Sequence, residues 1–282
     1  MKKISTFLLF LAISGLTFAQ TTGKIKLANG QKIVVESTIE MQATLTMGME
    51  LTSNSSTINA LEVKNSNPNT SIVSNTLTKL KMTSNMMGQA TNYDSDSKTG
   101  NDEQVAKIFD DKMNKPVDVT VDNTTGLAVA EKKKEKKADT DAEDANPMAD
   151  MMKVFLDNGS DDAVVSGAFE MIPKGKSVGD SWSDTTKTKD IKTIRTFTLK
   201  SVTGNEATIQ SNFLMNAVNN LDFQGMEFVI KTETKTVGEI VTDITTGLVK
   251  KRTSVADITG SIPMMGQDMP ISAKATTSSI YK

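Results

Sequence analysis

Met86–Gln89 and Met264–Gln267 spell the same tetrapeptide, MMGQ, in a chain that has neither histidine nor cysteine. Thioether sulfur is a soft ligand, and clusters of it can hold Cu(I) in an oxidising compartment. Methionine is equally a pliable apolar filler, and a lining for apolar guests of variable shape. Spacing weighs against copper: an extended strand turns Met86 and Met87, or Met264 and Met265, to opposite faces, which makes each pair a poor chelator. Packing and guest lining remain, with Met-based copper binding the weakest of the three.

The rest of the reactive inventory is narrow. Without histidine or cysteine the chain cannot build a Ser-His-Asp triad, a Cys-His nucleophile, or a zinc, haem or iron–sulfur site on those ligands. No P-loop or dinucleotide fingerprint occurs, because the glycines stand singly in turns. A paired-carboxylate hydrolase stays formally open. Its sugar clefts use aromatic platforms, however, and this chain has one Trp and two Tyr. The acids of "YDSDSKTGNDE" miss the EF-hand pattern, since Lys98 stands where an acid or amide belongs and Val105 at position twelve. "DNGSDD" (Asp157–Asp162) reads as a helix stop followed by a helix cap. The expectation is a non-enzyme with no cofactor and no metal.

Whatever the methionines do, strands must position them. In "KIVVESTIEMQATLTMGMEL" (Lys32–Leu51), nine of the ten odd positions are apolar, and Val34 is the only apolar residue at an even one. That is the period of a strand with one buried and one wet face. At about 3.3 Å per residue the run would be roughly 60 Å long, so it must bend, at Gly48, or turn over within the run. Further hairpins are expected around "NSNPNT", around Gly204-Asn205 with Ala207, Ile209, Phe213 and Met215 on one face, and around Thr245-Thr246-Gly247. "VDVTVDNTTGLAV" (Val117–Val129) echoes "GEIVTDITTGLVK" (Gly238–Lys250), which suggests a degenerate duplication.

Helical periodicity appears three times. "NPMADMMKVFLDNG" places Met148, Met151, Met152, Phe155 and Leu156 on one stripe behind the cap Asn146. A second helix starts at Ser160–Asp162 and stops before Pro173, and a third spans Asn101–Pro116 with Val105, Ile108, Phe109 and Met113 inward. These short helices are expected to lie over the oily face of the sheet and enclose it. Trp182, in "VGDSW", reads as a core anchor at a strand start or as a ring at a pocket mouth.

Lys2 and Lys3, the apolar run Phe7–Ile13 and the small residues Thr17 and Ala19 read as a secretory signal, residues 1–19. Seven apolar residues are too few to span a bilayer, which needs about 20. Removing that segment takes Lys+Arg from 32 to 30 against 34 Asp+Glu, so the net charge moves from −2 to −4. Such mild acidity offers no footprint for nucleic acid. The expected layout is an N-terminal β lobe (20–130), a charged linker (131–147, "EKKKEKKADTDAEDANP" from Glu131), and a helical segment with a C-terminal β lobe (148–282).

At "MMGQATNYDSD", "KPVDVTVDNTTGL" and "IPKGKSVGDSW" the chain resembles a family of exported, uncharacterised, Met-rich proteins of Gram-negative bacteria, a domain of unknown function. The resemblance implies β-rich architecture and export, and brings no activity or catalytic residues. The Lys/Asp-rich insert and the scarcity of aromatics depart from it. In shape alone, a curved sheet with helices on its hollow face is similar to periplasmic lipid and lipoprotein carriers.

The expected fold is mainly β: antiparallel curved sheets, half-barrel-like, in two pseudo-repeated lobes with two or three packed helices. The expected function is a non-enzymatic periplasmic or secreted binding protein for an apolar or amphipathic, lipid-like ligand, lined by Ile39, Met41, Leu45, Met47, Met49, Phe213 and Met215. The alternative is a structural or surface-interaction module with no ligand cavity. An integral outer-membrane barrel is disfavoured, since it would carry aromatic girdles.

Overall fold

The computed structural model describes residues 23–44, 48–86, 88–97, 99–129, 161–223, 226–264 and 267–282. The expected signal, the charged stretch 131–147 and the helix Met148–Leu156 lie outside them. Among the described residues twelve strands form one antiparallel sheet. They are β1 (Lys32–Thr44), β2 (Glu50–Ser66), β3 (Thr70–Met86), β4 (Gln89–Asp94), β5 (Pro116–Asp122), β6 (Ala128–Val129), β7 (Ser181–Lys187), β8 (Ile191–Thr203), β9 (Glu206–Phe223), β10 (Met226–Asp243), β11 (Val249–Met264) and β12 (Gln267–Tyr281). Two helices accompany them, α1 (Glu103–Asp110) and α2 (Asp161–Gly167).

The strand order is β6-β5-β3-β2-β1-β12-β11-β10-β9-β8-β7, with β4 also paired to β3, so the curved sheet stays open. Its two halves are joined where β1 pairs with β12, from Val35↔Tyr281 to Thr44↔Ser272. The alternating run from Lys32 turns over: Thr44 pairs with Glu50, and Gly48 takes a φ of 75°. Both MMGQ segments close hairpins, Met86 pairing with Gln89 and Met264 with Gln267.

Two cores lie on the same face, here called inner, toward one end of the sheet. Ile33, Val35, Leu61, Val63, Val73 and Val121 form the first, and Phe197, Leu199, Ala207, Ile209, Ile240 and Val249 the second. Tyr281 packs on both. The echoed TTGL segments are turns with matching hydrogen bonds. Asp122 Oδ1 accepts from the amides of Thr124 and Thr125, and Asp243 Oδ1 from those of Thr245 and Thr246. Gly126 and Gly247, with φ of 75° and 76°, donate to the carbonyls of Asp122 and Asp243. Burial works against the Asp243 anion, yet donation from Thr245 and Thr246 holds its carboxyl below the ordinary value.

The segment before β1 is clasped between those two turns. Ile25 donates its amide to the Asn123 carbonyl at 2.8 Å, and Lys26 to the Thr246 carbonyl at 3.1 Å. On the far side runs the chain after α2. Phe169 bridges to Leu248 and sits in the first core, while Ile172 sits in the second.

Both helices lie on the inner face, as expected, but over the β3–β6 side alone. α1 sets Val105 and Phe109 on Leu80, Met82 and Tyr93, where Leu80 and Met82 reach the Ser37 and Ile39 positions of β1 through Thr57 and Ser55, and α2 buries Val165 against β3, β5 and β6. Reach sets the length of α2. The second helix stops at Gly167, well before Pro173, because the chain from Ala168 must run extended to place Phe169 in one core and Ile172 in the other. An extended chain advances about 3.3 Å per residue, against about 1.5 Å in a helix.

Candidate functional site

Beyond the two cores, between β1 and β9, the inner face continues without a described element over it. Parity identifies that face: Ile33 and Val35 are buried on it, so Ser37, Ile39, Met41 and Ala43 share it. Register carries it across the sheet in rows. Ser37, Ser279, Arg252, Ile240 and Ile209 form one row, and Ile39, Thr277, Ser254, Gly238 and Ser211 the next. Met41, Ala275, Ala256, Thr236 and Phe213 follow, then Ala43, Ala273, Ile258, Thr234 and Met215.

The middle strands of these rows carry small side chains, most of them half-exposed, and larger apolar ones stand on β1 and β9. The result is a trough. Two glycines let its floor curve. A methyl on Gly238 would lie 2.5 Å from the Thr253 carbonyl oxygen and 3.0 Å from Ser254 Cβ, and one on Gly260 would lie 2.5 Å from the Lys231 carbonyl oxygen. Opposed Cβ atoms in a flat antiparallel pair stand about 4.5–5.5 Å apart, so these strands approach closely on the inner side.

The closed end of the trough is charged. Arg252, on the inner parity of β11, places Nη2 3.2 Å from Glu170 Oε2, and Glu170 comes from the extended chain after α2. Burial pushes the Glu170 carboxyl above its ordinary value, although Arg252 and Arg195 pull the other way. Nε of Arg252 is buried and has no hydrogen-bond partner. Beside it Ser37 and Ser279 share a hydrogen bond of 2.7 Å. Two rows further, beside Phe213 on β8, Arg195 donates two hydrogen bonds of 2.7 Å to Asp184 and lies 5.9 Å from the Phe197 ring centroid. Trp182, opening β7, stacks on Phe197 at 5.5 Å, and Phe213 meets the same ring edge-on.

Of the seven expected lining residues, Ile39 and Met41 stand on one bank and Phe213 and Met215 on the other; Met41 and Phe213 share a row, with Ile39 one row toward the closed end and Met215 one row toward the open end. Ile39 is 38% exposed, as a bank residue without a cover should be. Met49 packs with Met41 and Met86 around Ala43 and Leu51 toward the open end. Leu45 and Met47 lie outside the described residues. Sequence reasoning missed Arg252, Glu170, Arg195 and Asp184. The available signal was a charge on an otherwise small or apolar parity: Arg252 precedes Ser254, Ala256 and Ile258, and Arg195 precedes Phe197 and Leu199.

The outer face is different. Lys235, Asp257 and Lys274 alternate in sign across one row. Two open grooves carry many side chains of this parity. One of about 660 Å³ holds Lys187, Lys192, Lys231 and Glu233, and another of about 530 Å³ holds Glu50, Asp257 and Lys274. Both mix charged and hydroxyl groups with apolar ones. No described helix is long and apolar enough to cross a membrane.

A model of a family of unknown function, DUF6263, matches residues 68–249, more than half of the chain. No curated protein matches it in sequence. Among solved structures, one describing lipid–protein interactions in lipovitellin is similar at a TM-score of 0.50 and 9% identity, covering 91% of this chain and 25% of that one. This chain therefore spans a quarter of that chain's length, and the likeness is one of fold. The β domain of a Bordetella autotransporter (TM-score 0.25, 5% identity, 88% of this chain and 98% of that one) is more distant. So is the translocator domain of an autotransporter from Neisseria meningitidis (TM-score 0.22, 7% identity, 92% and 90%). Scores that low carry no argument.

Proposed function

The chain belongs to the DUF6263 family, whose function is unknown, and on that premise we propose that it is an exported, non-enzymatic protein that binds an apolar or amphipathic guest along the inner face of its sheet. One observation carries this reading. Met41 faces Phe213 along one row, with Ile39 and Met215 one row to either side, across a half-exposed floor of alanine, threonine, serine, glycine and Ile258, with both helices over other strands. A face left open by small residues, between banks of larger apolar ones, is shaped to be filled. Methionine banks tolerate guests of varying outline. Lipovitellin offers a parallel on a similar fold, and its lipid contacts remain a property of that protein.

The test is extraction of natively purified protein with organic solvent followed by mass spectrometry. A stoichiometric lipid or other amphiphile is expected. Trp182, the only tryptophan, stacks on the ring that touches Phe213, so its emission should shift when the guest is restored. Ala256→Trp and Ala275→Phe fill the floor and should abolish uptake while the fold survives. A protein that purifies empty, takes up no detergent-like probe and is indifferent to both substitutions would overturn the reading.

A surface-interaction module is the second reading. It is favoured by two open grooves lined in good part by charged outer-face side chains. It predicts self-association or partner binding that outer-face changes such as Lys274→Glu disturb.

A further inference from the structure

Polarity along the trough is graded, and the gradient names the guest more narrowly. At the closed end the inner face presents Arg252 among hydroxyls: Ser37 and Ser279 in its own row, then Thr277, Ser254 and Ser211. Two rows further the hydroxyls thin out to Thr236 and Thr234, and Met41, Ala275, Ala256 and Phe213 take over, followed by Ala273, Ile258 and Met215. Arg195, beyond the Phe213 bank, is already held by Asp184. Eight residues of β11 separate Arg252 from Gly260, about 26 Å of strand, which is room for an extended acyl chain.

Arg252 is incompletely used where it stands. It meets Glu170 in a single contact of 3.2 Å, against the two of 2.7 Å by which Arg195 holds Asp184, and it also engages the Tyr281 hydroxyl. A guanidinium is a fork suited to two parallel bonds with a carboxylate or phosphate. Its Nε, buried and without a partner, is a donor left over, and a buried unsatisfied donor is costly unless something accepts from it.

We propose that the guest is an anionic amphiphile whose head group, a carboxylate or phosphate monoester, is received by Arg252 at the closed end while its chain lies toward Ile258 and Met215. The inference rests on the trough reading and adds the sign and the place of the head group. Glu170 acts as the internal competitor that holds Arg252 when the trough is empty. Its carboxyl is one that burial already disposes toward the neutral form, so it yields readily to an incoming anion.

The experiment compares three probes on the delipidated full chain, followed by Trp182 emission or calorimetry: a sixteen-carbon carboxylic acid, the alcohol of the same length, and free acetate with inorganic phosphate. The acid should bind about tenfold more tightly than the alcohol, the worth of a charge-assisted hydrogen bond. Arg252→Gln should erase that preference, bringing the acid down to the affinity of the alcohol. Glu170→Gln should raise affinity for the acid several-fold, a gain that damage to the fold would not produce, and it keeps the test informative if Arg252→Gln does not fold. Equal binding of acid and alcohol by the unmodified chain overturns the head-group inference and leaves the trough standing. Binding of neither overturns the trough itself. Free acetate or phosphate bound as tightly as the acid, and lost in Arg252→Gln, overturns the amphiphile in favour of a simple anion site.

Discussion

Val35 and Ile39 stand four residues apart on the same face of β1, yet one is 2% exposed and the other 38%. Both obey the same alternation, and both have cross-strand partners on two sides. The difference lies above them. Val35 belongs to the end of the sheet where Ile25, Val165 and Phe169 pack down on the inner face, whereas Ile39 begins the stretch that no described helix or segment covers. The two ends of one strand therefore separate two quantities that alternation alone confuses: which face is apolar, and whether that face is buried. Only the second brings the full hydrophobic stabilisation, about 25 cal/mol per Å² removed from water.

Four substitutions would break or sharpen that contrast. Leu61→Ala, at 1% exposure in the packed end, should cost about 2–5 kcal/mol, read as a lowered urea midpoint with the slope unchanged. Gly238→Ala pushes a methyl into the Thr253 carbonyl and should cost about 1–3 kcal/mol, flattening the floor and weakening guest binding together. Loss of stability with guest affinity intact would show that the curvature does not matter to the site. Third comes pH. Because burial raises the Glu170 carboxyl above 4.5, its favourable contribution is complete below that value and is lost as pH rises from 4.5 through the higher folded-state value. Arg252, Arg195 and Asp184 are the charges that face it. Glu170→Gln should remove that part of the decline in thermal midpoint, and an unchanged profile would place the titration elsewhere. Smallest is Ile39→Ser, in the open end, expected within about 0.5 kcal/mol by denaturant titration.

Much of the sheet was legible in the residues. The period of two from Lys32 gave the face, and the turn residues at Asn67–Thr70, Gly204-Asn205 and Thr245–Gly247 gave the hairpins, because turn chemistry is local. The positions of Ile39, Met41, Phe213 and Met215 on one face followed from parity. That Met41 and Phe213 would share a row, with Ile39 and Met215 one row to either side, depended on register across four strand pairings, a non-local quantity. The apolar stripes of the helices called for a greasy surface, and the inner face supplies it. Which strands they cover was again non-local, since nothing in α2 showed that these would be β3, β5 and β6. Glu170 was invisible because its role comes from meeting Arg252, eighty-two residues on, through an extended segment that carries no pattern of its own.

The pairing of β1 with β12 also sets an order of events. The chain's first strand takes one of its two neighbours from its last fifteen residues, and Ile25 and Lys26 are held by turns that end near Leu127 and Leu248. Synthesis delivers the beginning long before those partners exist. β1 can form its hairpin with β2 early and must then present a bare margin until the tail arrives. Closing so long a loop makes completion slow, and that open margin is the point at which two unfinished copies would join each other.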